Sequence, residues 1–244
     1  MKIISEAVRL IVFFALVSLV TSSLEQVHSV SKVQHILFDM DEALSENASK
    51  EIQSYVHMLR MNGSYNPGAL VDHLPERFNC IAQIESQLLP HNTAKLTITT
   101  HAPLACISAD QVITVDGVIL SQQVFTEKLI KELDRVELAG ALDSEKIPVF
   151  VKTVADSIQA DLFKSYRMTW VDEHTICLTD KNHPQITIVC SNEKLPDLSM
   201  QKKCADLVHD KMLQKPDAQW KADIRFDDQI IISMDKGGQN GTYV

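Results

Sequence analysis

The chain has 244 residues, 45% of them hydrophobic, which is material for one large domain or two small ones with a real core. Its net charge is −9 and its 23 Lys and Arg are dispersed, which excludes a protein that tracks nucleic-acid phosphates with clustered cations. The nine histidines form no H-E-x-x-H and the five cysteines no C-x-x-C, so no metal site or cofactor is expected.

The N-terminus opens with Lys2 and Arg9 ahead of an apolar run at 10–20, LIVFFALVSLV. A helix needs ~20 apolar residues to span a bilayer, so this run also fits the core of a signal peptide, with Thr21-Ser22-Ser23 as a small-residue cleavage site. If Arg9 snorkels, Ile3, Ile4, Ala7 and Val8 extend the run into an anchor. Either way residues 1–24 direct the rest of the chain out of the cytoplasm, and the flanking cations favour an inside N-terminus. Residues 25–32 are polar and read as a tether.

A short strand is expected at 33–38. Ser45 caps a helix whose apolar side is Ile52, Tyr55, Val56 and Leu59, at the i, i+3, i+4, i+7 spacing. Asn62-Gly63 closes it, and Asn66-Pro67 opens a second helix with Leu70, Val71 and Leu74, Pro75 standing near its end. Strands follow at 81–88 and 95–100, the latter alternating Leu96 and Ile98 with polar residues. Residues 33–103 therefore read β-α-α-β-β.

A second domain is expected over 104–235. Asp116-Gly117 suits a tight hairpin. Phe125, Leu129, Ile130 and Leu133 mark a helix, and another covers about 148–162. The stretches 166–179 and 185–190 read as a strand pair. Ser199 starts a helix that runs to Gln214, where Pro216 forbids continuation. Strands at 220–226 and 229–234, joined at Asp227-Asp228, complete the domain, and 236–244 is a loose tail.

Export permits disulfides. Cys177 and Cys190 face each other across a candidate hairpin, but Cys190 shares a face with Ile186 and Ile188 while Cys177 lies opposite Ile176 and Leu178. Partners across a hairpin share a face, so buried free thiols are expected for Cys80, Cys106, Cys177, Cys190 and Cys204.

Three features together resemble the FtsQ/DivIB family of bacterial division proteins. The β-α-α-β-β order is that of a POTRA domain. His101-Ala102-Pro103-Leu104-Ala105, then Val115-Asp116-Gly117-Val118, match the segment that follows that domain in the family, although Thr100-His101 replaces the usual Glu-Arg pair. Ala222-Asp223-Ile224-Arg225-Phe226, a short turn, and an apolar strand at 229–232 match the family's end. The resemblance implies an α+β protein: a single N-terminal membrane helix, a POTRA-like domain, then a mainly antiparallel β domain with flanking helices. It tips the leader toward an uncleaved anchor in the inner (cytoplasmic) membrane, with the bulk of the chain periplasmic.

The resemblance further implies a divisome scaffold with no catalytic residues and no small-molecule substrate. Its partners would be FtsB- and FtsL-like bitopic proteins, one of which adds a strand to the last strand here. Carried over by position, the partner-binding residues are Arg225, Phe226 and Asp228 near the turn, with Ile230, Ile232 and Met234 sharing one face. The competing reading of that strand is an interior one, buried on both faces.

Two alternatives belong to other classes. Phe38-Asp39-Met40-Asp41 after an apolar run resembles the first motif of haloacid-dehalogenase-like phosphatases, with Asp39 as nucleophile, Asp41 as acid/base and Mg²⁺ between them. Thr99, Lys152 and Asp227-Asp228 would have to complete that site, without the α/β alternation it needs. A POTRA-type export or chaperone module is the other.

Overall fold

The computed structural model describes residues 33–63, 65–212, 215, 217–226 and 229–235. The leader, the tether, the tail, Gln214, Pro216, Asp227 and Asp228 lie outside the described residues. Among the described residues no helix is long and apolar enough to cross a membrane. The fold is α+β with sheets rich in antiparallel pairs, and the chain divides into two compact units between Thr100 and His101. Pro103, expected to close the first domain, instead opens a strand of the second unit.

The first unit runs β1 (His35–Met40), α1 (Glu46–Met61), α2 (Pro67–Arg77), β2 (Ile81–Leu89) and β3 (Thr93–Thr100). Ser45 caps α1 by accepting from the Ala48 amide, and Asn66 caps α2 by accepting from Gly68, so the short polar residues do what their positions predict. The sheet order is β1-β3-β2, with β1 parallel and β2 antiparallel to the central β3. The β2–β3 turn puts His91 and Asn92 in the left-handed region, φ 64° and 54°. Ala94, Leu96 and Ile98 on one side of β3 are buried, as are Ile52 and Val56 of α1 and Leu70 and Leu74 of α2. The opposite side of β3, Thr93, Lys95, Thr97 and Thr99, is polar and more open, the pattern of a sheet with one covered face.

The second unit begins with a small antiparallel sheet, β4 (Pro103–Cys106), β5 (Gln111–Thr114) and β6 (Ile119–Ser121). After it come α3 (Glu127–Glu132), β7 (Val136–Leu138), α4 (Ile147–Gln159), α5 (Leu162–Ser165), β8 (Tyr166–Asp172), β9 (Thr175–Asp180), β10 (Ile186–Cys190), α6 (Leu198–Met212), β11 (Gln219–Asp223) and β12 (Ile231–Asp235). The large sheet has the order β12-β11-β10-β9-β8-β7. Its β7–β8 and β10–β11 pairs are parallel, each reached through a helical crossover.

Several sequence expectations are corrected here. The stretch 166–179 is not one strand but the hairpin β8–β9, turning at Glu173-His174, where Asp172 accepts from the His174 amide. The helix expected through Leu133 shrinks to six residues, and Phe125 sits outside it, buried. The helix at 148–162 breaks at Asp161, which takes φ 56° and starts the separate α5. Asp197 rather than Ser199 caps α6, its carboxylate accepting from the Met200 amide at 2.7 Å.

One face of the large sheet holds the core. Met168, Trp170, Ile176, Leu178, Ile186, Ile188, Cys190, Trp220 and Ala222 point to it and meet Phe150 and Val154 of α4 and Cys204 and Val208 of α6. Phe150 and Trp170 stack edge to face, centroids 5.1 Å apart. All five cysteines are free. Cys190 pairs across the hairpin with Ile176 and Cys177 with Val189, so the two thiols are on opposite faces, as their parity required.

Candidate functional site

Strand β12 ends the large sheet. It pairs antiparallel with β11, Ile231 opposite Asp223, Ile232 opposite Ala222, Ser233 opposite Lys221 and Met234 opposite Trp220, and nothing among the described residues pairs with its other side. The opposite end is different: β7 has three residues, and Cys106 bridges to Arg135 just before it, so β4 occupies the start of that edge. Among the described residues the last strand thus ends its sheet and is not an interior strand.

Parity along β12 decides what each side chain does. Ile232 and Met234 lie level with the core residues Ala222 and Trp220, and with Ile230 they pack against the core. Ile231 and Ser233 face the other way, away from the core, and Ile231 remains 45% exposed. Phe226, after the end of β11, is 49% exposed. Two large apolar side chains thus stand open, Phe226 after β11 and Ile231 on β12; among the described residues β12 has no second neighbour, and it carries no charge before Asp235, although exposed edges are ordinarily blunted by charge or Pro. The edges of the first unit's sheet are blunted in that way: β1 carries Asp39, ion-paired with Lys95 at 2.7 Å, and β2 exposes Glu85, Ser86 and Gln87.

Of the residues inferred from the sequence, the structure places Ile230, Ile232 and Met234 on or just before β12, while Asp228 lies outside the described residues. It also shows that Arg225 and Phe226 are beyond β11, which ends at Asp223 and not at 226. Sequence reasoning missed Ile231. Its signal was available: the residue between two core-facing positions of a strand must face the opposite side.

Arg225 is engaged within the chain. Its Nε reaches both oxygens of Asp223, at 3.0 and 3.2 Å, its Nη2 reaches Oδ2 at 2.6 Å, and its backbone amide donates to Oδ1 at 3.1 Å. Its Nη1 also donates to Thr175 Oγ1 at 3.3 Å. Burial by itself raises the Asp223 carboxyl, but these donors and the guanidinium charge outweigh it and hold the group below its ordinary value. Cys177, on the face away from the core, has a thiol pushed up by burial, against the opposing charges of Lys221 and Arg225.

The phosphatase residues are placed apart in function. Asp39 is committed to Lys95. Asp41 is a backbone clamp: Oδ1 accepts from Ala43 at 2.9 Å and Oδ2 from Thr100 at 3.0 Å, tying the end of β1 to the end of β3. Lys152 pairs with Asp156 on its own helix at 2.6 Å. Asp227 and Asp228 are not described. Among the described residues no group of His, Cys, Asp and Glu is placed to hold a metal ion.

No family model matches the chain, and no curated protein is significantly similar to it.

Proposed function

We propose that the chain is a non-enzymatic scaffold of the bacterial divisome, a divergent relative of FtsQ/DivIB. In this reading an N-terminal segment anchors it as a single-pass protein of the inner membrane, N-terminus in the cytoplasm, and the described units stand in the periplasm. There β12 takes up a strand from an FtsB- or FtsL-like partner and so links assembly to septal wall synthesis.

The observation that carries the reading is that, among the described residues, β12 ends the large sheet without a second neighbour, with Ile231 on it and Phe226 before it both exposed. An added strand would satisfy the unpaired main-chain groups of β12, which supplies affinity, while side chains that alternate along it would meet Ile232 and Met234 on one side and Ile231 and Phe226 on the other. The mixed three-stranded sheet and β-α-α-β-β order of the first unit also support it, since the resemblance implies a POTRA-like domain there.

The test is capture of the tagged full chain from its native membranes after mild crosslinking. Small single-pass coiled-coil proteins should be recovered with the unaltered chain and lost with Phe226→Glu, whose melting curve should be unchanged because the residue is half exposed. Recovery of no membrane partner by a folded chain sinks the proposal and makes a Mg²⁺-dependent phosphatase assay, with Asp39→Asn as control, the next measurement.

A further inference from the structure

We infer that Arg225 is a positioning residue for the β12 edge and not a partner contact: it locks the connection that leaves β11 and thereby sets where Phe226 and β12 stand. This rests on the scaffold reading for its functional meaning, but the geometry that carries it is internal to the chain.

Asp223 closes β11 and stands opposite Ile231, the first residue of β12. Its carboxylate accepts the Arg225 amide, which turns the backbone, and both oxygens accept the guanidinium, which stiffens that turn. The guanidinium Nη1 crosses to Thr175 at the start of β9. Between β11 and β9 lies β10, and Ile224 donates its amide to the Val189 carbonyl of that strand. One side chain thus ties β11 to β9 across β10 at the end of the sheet from which β12 departs. A guanidinium fork fits this task because its planar N–H groups meet the two carboxylate oxygens side by side while another N–H reaches a third acceptor, a geometry the tetrahedral ammonium does not present. The Asp223 side chain is 18% exposed and that of Arg225 39%, so the pair is only partly screened. A partner carboxylate would have to displace Asp223 to take the Nε and Nη2 donors of Arg225 that Asp223 holds.

The experiment is hydrogen exchange of the β12 amides that bond β11, in the full chain without any partner. Arg225→Ala and Asp223→Ala should each speed that exchange by roughly tenfold, the factor that ~1.4 kcal/mol makes. The double variant should go no further, because one interaction is removed in all three. Arg225→Lys should behave like Arg225→Ala, and Thr175→Val, which leaves the carboxylate pair in place, should have a smaller effect in the same direction. If β12 exchange is unchanged in Arg225→Ala, or if the Arg225 and Asp223 effects simply add, the positioning role is wrong. Failure of the scaffold reading would show elsewhere, as loss of the captured partners with β12 exchange behaving as stated. Conversely, Asp223→Ala chains that keep β12 protected and capture partners better would mark Arg225 as a direct contact and overturn the inference.

Discussion

Gly117 sits at the tip of the β5–β6 hairpin with φ 84°, and a Cβ built on it would lie 2.7 Å from Cγ2 of Ile147, at the start of α4. Gly117→Ala therefore meets two separate penalties. An L-residue in the left-handed region costs ~1–2 kcal/mol. The contact with Ile147 adds an overpacking cost of ~1–3 kcal/mol, since a β-branched side chain at a helix start has little freedom to turn away. The expected loss is about 3 kcal/mol, or roughly 10 °C in melting temperature for a domain of this size. Two other glycines separate the terms. Gly63 has φ 71° but nothing within 4 Å, so Gly63→Ala should carry only the conformational penalty. Gly140 has neither a positive φ nor a neighbour within 4 Å, and its alanine variant should be neutral or slightly stabilising. Urea unfolding followed by circular dichroism ranks the three. If Gly117→Ala is no worse than Gly63→Ala, the close approach of the hairpin to α4 has been misjudged and the argument from Ile147 fails.

Other perturbations discriminate structural from surface roles. Asp41→Ala removes the acceptor for two backbone amides and should cost about 1–2 kcal/mol, whereas Asp39→Ala loses an exposed ion pair worth ~0–1 kcal/mol; denaturant midpoints of the two variants should separate accordingly. Acid sensitivity follows from Asp116 as well as Asp223. Burial raises the Asp116 carboxyl, but donation from Thr114, His101 and its own amide, with the charge of His101, brings it below its ordinary value of 3.8. The sign is that of a depressed carboxylate: its stabilisation is present above the unfolded value and lost as pH falls through the folded one. Asp116→Asn should thus lower stability at neutral pH and flatten the acid limb below about pH 4, measured by melting at stepped pH. Thiol labelling should follow burial: the Cys190 thiol is pushed up to about 12 and the Cys204 thiol up to about 11. In the native protein at pH 8 Cys177 should react first and Cys190 last, with mass spectrometry reading the order; early labelling of Cys190 would contradict its placement in the core.

Local rules carried far where the signal was local. Ser45 and Asn66 cap the helices they precede, Asp116-Gly117 makes its hairpin, and parity separates Cys177 from Cys190. The failures share a different cause. In 166–179 the turn at Glu173-His174 is marked only by the polar stretch Asp172-Glu173-His174-Thr175, with no Gly or Pro, while the apolar parity of 166, 168 and 170 resumes at 176 and 178; the turn is held by the Asp172 carboxylate. The three residues of β7 are a strand only because β8 lies beside them. Asp161 breaks the long helix with a backbone conformation that its residue type permits but does not announce. At the site, the apolar run 229–232 was legible, and its position at the end of the sheet was not, since strand order is decided by the helical crossover through α6. The double engagement of Arg225 was hidden for the same reason: Asp223 is two residues away, but Thr175 is brought there by the fold.

The parallel pairing of β10 with β11 has a consequence for how the protein is made. Because α6 must cross the sheet before β11 can dock, residues 219–235 leave the ribosome after everything they lean on. Until then the growing sheet stops at β10, whose inward Ile186, Ile188 and Cys190 wait for α6 and not for a neighbouring chain. Among the described residues β12 ends the large sheet and is also the latest strand to be synthesised, so that end of the sheet is completed only in molecules whose supporting layers already exist. Such an order moves the bare edge from β10 to β12 as synthesis finishes, and the interval in which β10 waits for β11 is when half-made chains are most open to pairing with one another.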